Sequence, residues 1–211
     1  MSDTTDQVDA VTRAVSEREV DGRPAKAVTL GRVYPTGIDD LWEAVTRIDR
    51  IPSWMGPITG DLRLGGHFQI EGNASGTITA CEPPRSFDAT WEYGGAISWI
   101  EVRLAEVDPS NTRIELTHLA YPDEHWDQFG PGAAGVGWDL AVLGLFLHLS
   151  TDEDRPSDPA DWMAGPEGVE FMVRAARAWG AADIAGGEDP DVANAAAERT
   201  VDTYTEPPAE G

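Results

Sequence analysis

Lysine and cysteine are almost missing from this sequence, and positive charge of any kind is scarce. Lys26 is the only lysine and Cys81 the only cysteine. A single cysteine excludes an internal disulfide, so nothing points to an oxidising compartment. The four histidines, His67, His118, His125 and His148, lack H-x-x-x-H spacing, and no Cys-x-x-Cys pair exists to complete a metal site. Against 15 basic residues stand 38 acidic ones, a formal net charge of −23. That excess argues against bare nucleic acid or an anionic membrane as partner, since both would be repelled. No basic start leads into an apolar run, so no secretory signal is expected. The longest apolar stretch, Val136 to Leu149, contains Asp139 and is short for a bilayer core of ~30 Å. The expectation is a cytoplasmic protein with no metal, no cofactor, no nucleic-acid partner and no membrane span.

What is present suits one domain with additions. A chain of 211 residues, 41% of them hydrophobic, buries roughly 70% of its unfolded surface without disulfides or metal. The acidity is spread unevenly. Residues 1–149 carry 23 acids and 11 bases, and residues 150–211 carry 15 acids and 4 bases. A solvated surface that keeps the protein soluble accounts for this most simply.

Residues 1–13 are polar and acidic and are expected to fray. Asp21-Gly22, between Ala14–Val20 and Ala25–Tyr34, signals a hairpin, because a type I′ turn needs positive φ at both central residues. After Pro35-Thr36-Gly37, Asp39 or Asp40 can cap a helix that carries Leu41, Trp42, Val45 and Ile48 at helical spacing. Trp42 reads as core. Ser53-Trp54-Met55 begins a loop. Five short runs then alternate apolar and polar residues. They centre on Phe68/Ile70, Thr77–Cys81, Phe87/Ala89/Trp91, Ile100/Val102/Leu104 and Ile114/Leu116/His118. Tight turns between them predict an antiparallel meander. A loop through Pro122 and Gly130-Pro131-Gly132 leads into a stretch apolar nearly all round, Trp138 to Leu149, which must be a largely buried helix. Beyond it come an Asp- and Pro-rich linker, 151–159, and a helix with Val169, Met172, Val173, Ala176 and Trp179 in phase. Gly186-Gly187 ends that helix. A weaker one follows with Val192, Ala196, Val201 and Tyr204. Strands first and a buried helix last make an α+β layer.

In that order the segments "DDLWEAVT", "IPSWM", "GDLRLGGHF", "CEPPRSFDATWEY", "SWIEVRL", "TRIELTH" and "GVGWDLAVLGLFLHL" resemble the START-like superfamily. They are most similar to the branch of the activator of Hsp90 ATPase C-terminal domain. The resemblance covers Arg32 to Leu149. It implies a helix-grip fold, a curved antiparallel sheet around a long C-terminal helix with a cavity between them. It carries no shared catalytic set. Domain limits follow: a flexible 1–13, a helix-grip domain over 14–150, and a helical extension over 151–211 that packs on it.

Several motifs have plain readings. Gly130-Pro-Gly-Ala-Ala-Gly135 matches G-x-G-x-x-G, but no βαβ frame precedes it. Its glycines serve a tight turn and close approach of the helix to the sheet. Ser75, in Gly72-Asn-Ala-Ser-Gly76, lacks the spacing of a nucleophile elbow and reads as a turn serine. Cys81 has no activating partner and reads as a small buried hydrophobe. Asp139, near the first turn of its helix, favours the helix dipole and faces solvent in the simplest case; turned inward it would be a candidate acid.

The cavity of such a fold would be lined by Trp54, Phe68, Trp91, His118, Trp138 and Val142. Two readings of these side chains stand: a cage around a flat apolar ligand, or a core that the rings fill. Three functional classes follow. The first is non-catalytic binding of a small apolar or aromatic ligand. The second is a chaperone-type or regulatory module meeting a protein partner through 151–211. The third is a polyketide cyclase- or dehydratase-like enzyme, which would need an acid–base pair such as His118 with Asp139.

Overall fold

Asp21 and Gly22 take φ of 50° and 74°, the left-handed pair that the first hairpin requires. They join β1 (Thr12–Val20) to β2 (Arg23–Tyr34) in a computed structural model that describes residues 6–150 and 159–205. The remaining elements are α2 (Ile38–Thr46), a 3₁₀ turn (Ile51–Ser53), β3 (Ile58–Gly60), β4 (His67–Ile70), β5 (Ser75–Glu82), β6 (Ser86–Tyr93), β7 (Ala96–Asp108) and β8 (Asn111–Ala120). Then come α3 (Glu124–Phe129), α4 (Gly132–Ser150), α5 (Pro159–Ala164), α6 (Pro166–Gly186) and α7 (Pro190–Thr205); a single helical turn, α1 (Asp6–Asp9), precedes β1. The strands form one curved antiparallel sheet in the order β1-β2-β8-β7-β6-β5-β4-β3. Register shifts between Ile78 and Ala80 and between Glu106 and Asp108 add local bend. The protein is α+β, as its strand pattern predicts, with the helix-grip arrangement that the resemblance implies.

The residues fall into two compact units assembled from separate segments. One comprises 1–30, 122–140 and 156–211; the other comprises 31–121 and 141–155. β2 and α4 each contribute to both units. Of the expected linker over 151–159, residues 151–158 lie outside the described residues and Pro159 opens α5, and residues 1–5 of the expected flexible start also lie outside them.

In the first unit, residues 6–13 pack against the rest of it. Val8 and Val11 are 2% and 7% exposed. Arg13 places its Nη1 between the Val8 and Val11 carbonyls, at 3.0 and 3.1 Å. α6 packs against β1, α5 and α7. Its buried stripe runs through Phe171, Met172, Ala175, Ala176 and Trp179, while Val169 and Val173 are half-buried at the edge. In α7 the buried residues are Ala193, Ala196, Ala197 and Thr200; Val192 is exposed. Small side chains, not the valines, make the helix contact, because Gly180 and Ala197 let the two backbones come close.

In the second unit the buried face of the sheet carries Ile78, Ala89, Ile100, Val102, Leu104, Ile114 and Leu116. α2 packs on β7 and β8, with half-buried Trp42 edge-on to Phe87 at 6.2 Å. Its N-cap is Gly37 with no side-chain bond; the expected aspartate cap is absent because Asp39 and Asp40 lie inside the first turn, where they favour the dipole. The second half of α4 sits against β2. Tyr34 Oη donates to the Val142 carbonyl at 2.8 Å, and the Arg32 guanidinium lies 4.3 Å from the Phe146 ring centre.

At 19 residues α4 is longer than its apolar stretch suggests, about 28 Å, and by length and composition it is able to cross a membrane. Here Val136, Trp138, Val142, Leu143 and Leu145 are buried in protein.

Candidate functional site

The sheet brings three of the six expected site residues into one row. Phe68 on β4 and Trp91 on β6 have ring centres 6.2 Å apart, although β5 runs between their strands. Gly76 makes this possible. It pairs with Phe68, and a Cβ there would come within 2.8 Å of the Phe68 ring. Trp91 in turn meets His118 on β8 edge-on at 6.5 Å across β7. The residue between them on β7 is Ser98, which pairs with Trp91. The face therefore alternates large and small, Phe68, Gly76, Trp91, Ser98, and the small residues give the rings room to lean together.

His118 and Trp91 are half-buried, whereas Phe68 is buried. The His118 Nε2 lies 2.8 Å from Ser98 Oγ, and Ser98 Oγ donates to the Trp91 carbonyl at 2.9 Å. Burial lowers the His118 pKa from 6.5 to about 4, because the surrounding apolar side chains solvate an imidazolium poorly. The ring is neutral at physiological pH. Ser98 was missed by sequence reading. Its signal is its phase: it stands two residues before Ile100, on the inward face of an otherwise apolar strand.

The other three expected residues have different settings. Trp54 donates its indole N–H to the Ala44 carbonyl at 2.9 Å, and its own carbonyl lies against Gly144 of α4. Its polar end is thus committed to the scaffold. Val142 is buried and its carbonyl holds Tyr34. Trp138 is buried in the first half of α4, within the other unit. A hollow of about 420 Å³ lies beside the tip of the β6–β7 hairpin, lined by Ser75, Glu92, Tyr93, Ile97 and the Gly94-Gly95 turn. Ser75 opens β5 and is not a turn residue.

Asp139 does not face solvent. Its side chain is 0% exposed and forms a two-point ion pair with Arg13, Nη2 to Oδ1 at 2.6 Å and Nε to Oδ2 at 3.2 Å. The Trp179 indole N–H also donates to Oδ2, at 2.8 Å. Gly135 stands one turn before Asp139, where any Cβ would collide with the Trp179 ring. Gly132 similarly meets Thr200 of α7. The glycines of the G-x-G-x-x-G run thus admit α6 and α7 to the start of α4, not the sheet as expected. Cys81 is half-buried, and burial raises its thiol pKa, as suits an unreactive side chain. Among the described residues no cluster of three or more His, Cys, Asp or Glu is placed to hold a metal ion.

A curved antiparallel sheet holding a C-terminal helix, with an aromatic row on one face, defines a helix-grip protein of the START-like kind. Residues 35–145 match the family described as activator of Hsp90 ATPase homolog 1-like protein, and the chain belongs to that family. It is similar to CalU16 from Micromonospora echinospora. The solution structure of that protein is 31% identical with a TM-score of 0.70, over 84% of this chain and 97% of that one. The crystal structure of CalU16 gives 32% and 0.65, over 82% and 98%. EF2215 from Enterococcus faecalis, described as a conserved protein of unknown function, shares the fold at 14% identity and a TM-score of 0.62, over 88% and 96%. DynU16, described as belonging to the dynemicin biosynthetic locus, shares it at 20% and 0.52, over 61% of this chain and 48% of that one. Among curated proteins none matches the chain.

Proposed function

We propose that this protein binds a small apolar or aromatic molecule, without transforming it, on the aromatic face of its sheet. The observation that carries the reading is the continuous row Phe68–Trp91–His118, which ends in a half-buried imidazole held neutral by its surroundings. Rings supply flat apolar area, and one oriented polar group fixes how a ligand lies on it. In this reading the helix-grip stretch carries the ligand, with Val142 and Trp54 supporting the helix opposite β2.

Catalysis has weaker support. A general base works best with a pKa near the operating pH, and His118 at about 4 is far below it. The carboxylate that could assist it, Asp139, is taken up by Arg13 and Trp179. The protein-interaction reading also loses its motive, because the apolar stripe of α6 is buried against β1 and α7.

The test is a titration of the full chain with 1-naphthol, a fatty acid and a sterol, followed by tryptophan fluorescence and thermal unfolding. A ligand that raises the melting temperature, and loses that effect in Trp91→Ala, supports the reading. No shift with any of the three, or an undiminished shift in Trp91→Ala, overturns it.

A further inference from the structure

The geometry points to a second binding site, for a small organic cation (an amine or guanidine on an apolar stem), in the hollow beside the tip of the β6–β7 hairpin. This site goes beyond the ligand-binding reading above and uses none of its residues. Successive side chains of a strand point to opposite faces. Thr90 and Glu92 flank Trp91 on β6, so they point away from the face that carries the aromatic row. On that other face Ser75, Glu92 and Ile97 stand side by side, since Glu92 pairs with Ser75 of β5 and with Ile97 of β7. All three line the hollow, whose volume of about 420 Å³ suits a small molecule. The Gly94-Gly95 turn closes the hairpin with φ of 60° and 82°. Nothing lies within 4 Å of where side chains on these two glycines would begin, so that end of the hollow is uncovered.

The hollow offers negative charge and acceptor oxygens beside apolar surface. Among the described residues no basic side chain lines it, and Glu92 is its one acid. That carboxylate is held in place. The Thr77 backbone N–H donates to Thr90 Oγ1 at 2.9 Å, and Thr90 Oγ1 donates to Glu92 Oε1 at 3.1 Å. Chemistry fixes both directions, because an amide N–H only donates and an ionised carboxylate only accepts. One carboxylate oxygen is thereby anchored, and Oε2 has no hydrogen bond among the described residues. Gln69, which pairs with Ser75 on the far side from Glu92, turns its amide N–H group to the Ile70, Asn73 and Ala74 carbonyls at 2.7, 3.3 and 3.4 Å. Its own oxygen is left as a further acceptor at the border. Ile97, 48% exposed, gives a hydrocarbon stem a surface to cover. An anion would meet Glu92 with no positive charge to offset it, and a neutral alcohol would forgo the charge-assisted bond. The net charge of −23 draws cations toward the same place.

The test is amide NMR of the nitrogen-15-labelled full chain at pH 7, titrated with 2-phenylethylamine and with 2-phenylethanol, one stem with and without a positive charge. We expect the amine to move the Ser75, Gly94, Gly95 and Ile97 amides saturably. The alcohol should bind about tenfold more weakly, the scale of one hydrogen bond to a charged group. Glu92→Gln keeps the shape, removes the charge and should cost the amine about tenfold. Glu106→Gln alters an exposed acid further along β7 and lowers the net charge by the same amount. It should leave the affinity unchanged, which separates a site from general attraction. Equal affinity for the two probes, an undiminished affinity in Glu92→Gln, or an equal loss in Glu106→Gln overturns the proposal. So does an amine that leaves the hairpin amides where they were. None of these variants alters Trp91, so the aromatic-face reading stands or falls on its own titration.

Discussion

Asp183 lies near the end of α6 with 6% of its surface exposed. Burial raises its pKa above the ordinary 3.8, the Glu188 carboxylate adds to the shift, and Lys26 opposes it. The turn at Gly130 and the side chain of Ala196 close the space beside it, so water reaches the carboxylate poorly. A carboxyl with a raised folded pKa contributes stability below 3.8 that is lost as pH rises through the folded value. Asp183→Asn removes the charge and should be more resistant to urea than the parent at pH 7. The gap should close as pH falls toward 3.8. His118 runs the other way. Its folded pKa is depressed, so its contribution is present above 6.5 and is lost as pH falls toward about 4. In His118→Gln the loss of stability across that window should shrink by something on the order of 3 kcal/mol, measured by urea unfolding at stepped pH.

At the scale of elements, α4 shows how a helix rich in glycine divides its positions. Gly144 lies against the Trp54 carbonyl, a backbone atom that cannot turn aside, and a methyl there would press into it. Overpacking costs about 1–3 kcal/mol, more than the ~1 kcal/mol that alanine gains over glycine in a helix. Gly144→Ala should therefore destabilise. Gly137 is exposed, and a Cβ there comes only within 3.9 Å of Tyr204 Oη. Gly137→Ala should stabilise by up to ~1 kcal/mol in the same unfolding assay.

No hydropathy pattern separates these two glycines, because the difference lies in a residue 90 positions away in one case and in solvent in the other. The strands were legible for the opposite reason: alternation over Phe87–Trp91 or Ile100–Leu104 is local and reports the face directly. Short elements such as α3 and β3 were not, since six or three residues hold too little periodicity. The faces of α6 and α7 shifted because alanine and glycine pack closely without looking strongly apolar. Of the candidate site, the shared row of Phe68, Trp91 and His118 followed from strand phase. Ser98 did not, since a hydroxyl becomes informative only once its hydrogen-bond partners are known.

For the whole molecule, the buried ion pair of Arg13 and Asp139 ties the start of the chain to α4, and Trp179 adds α6 to the same point. Asp139→Ala leaves a buried guanidinium without its carboxylate and should cost about 3–5 kcal/mol, read from urea unfolding. Truncation after residue 150 removes Trp179 and most of the first unit. The truncated chain should lose cooperative thermal unfolding by circular dichroism. A folded, cooperative fragment would instead show that residues 151–211 are an independent addition. The net charge of −23 says nothing about the apolar face of the sheet.

The interleaving of the two units also sets an order of events during synthesis. Residues 31–121 and 141–155 have all been polymerised before any part of α6 has been made. The second unit therefore has its full complement of chain while the first still lacks most of its helices. Arg13 must wait for Trp179, some 166 residues later. At the usual pace of elongation that is a delay of roughly 10–30 s. Throughout it β1 waits without α6 and its buried arginine lacks part of its setting. The nascent N-terminal segment is thus the stretch a cell would most need to shield.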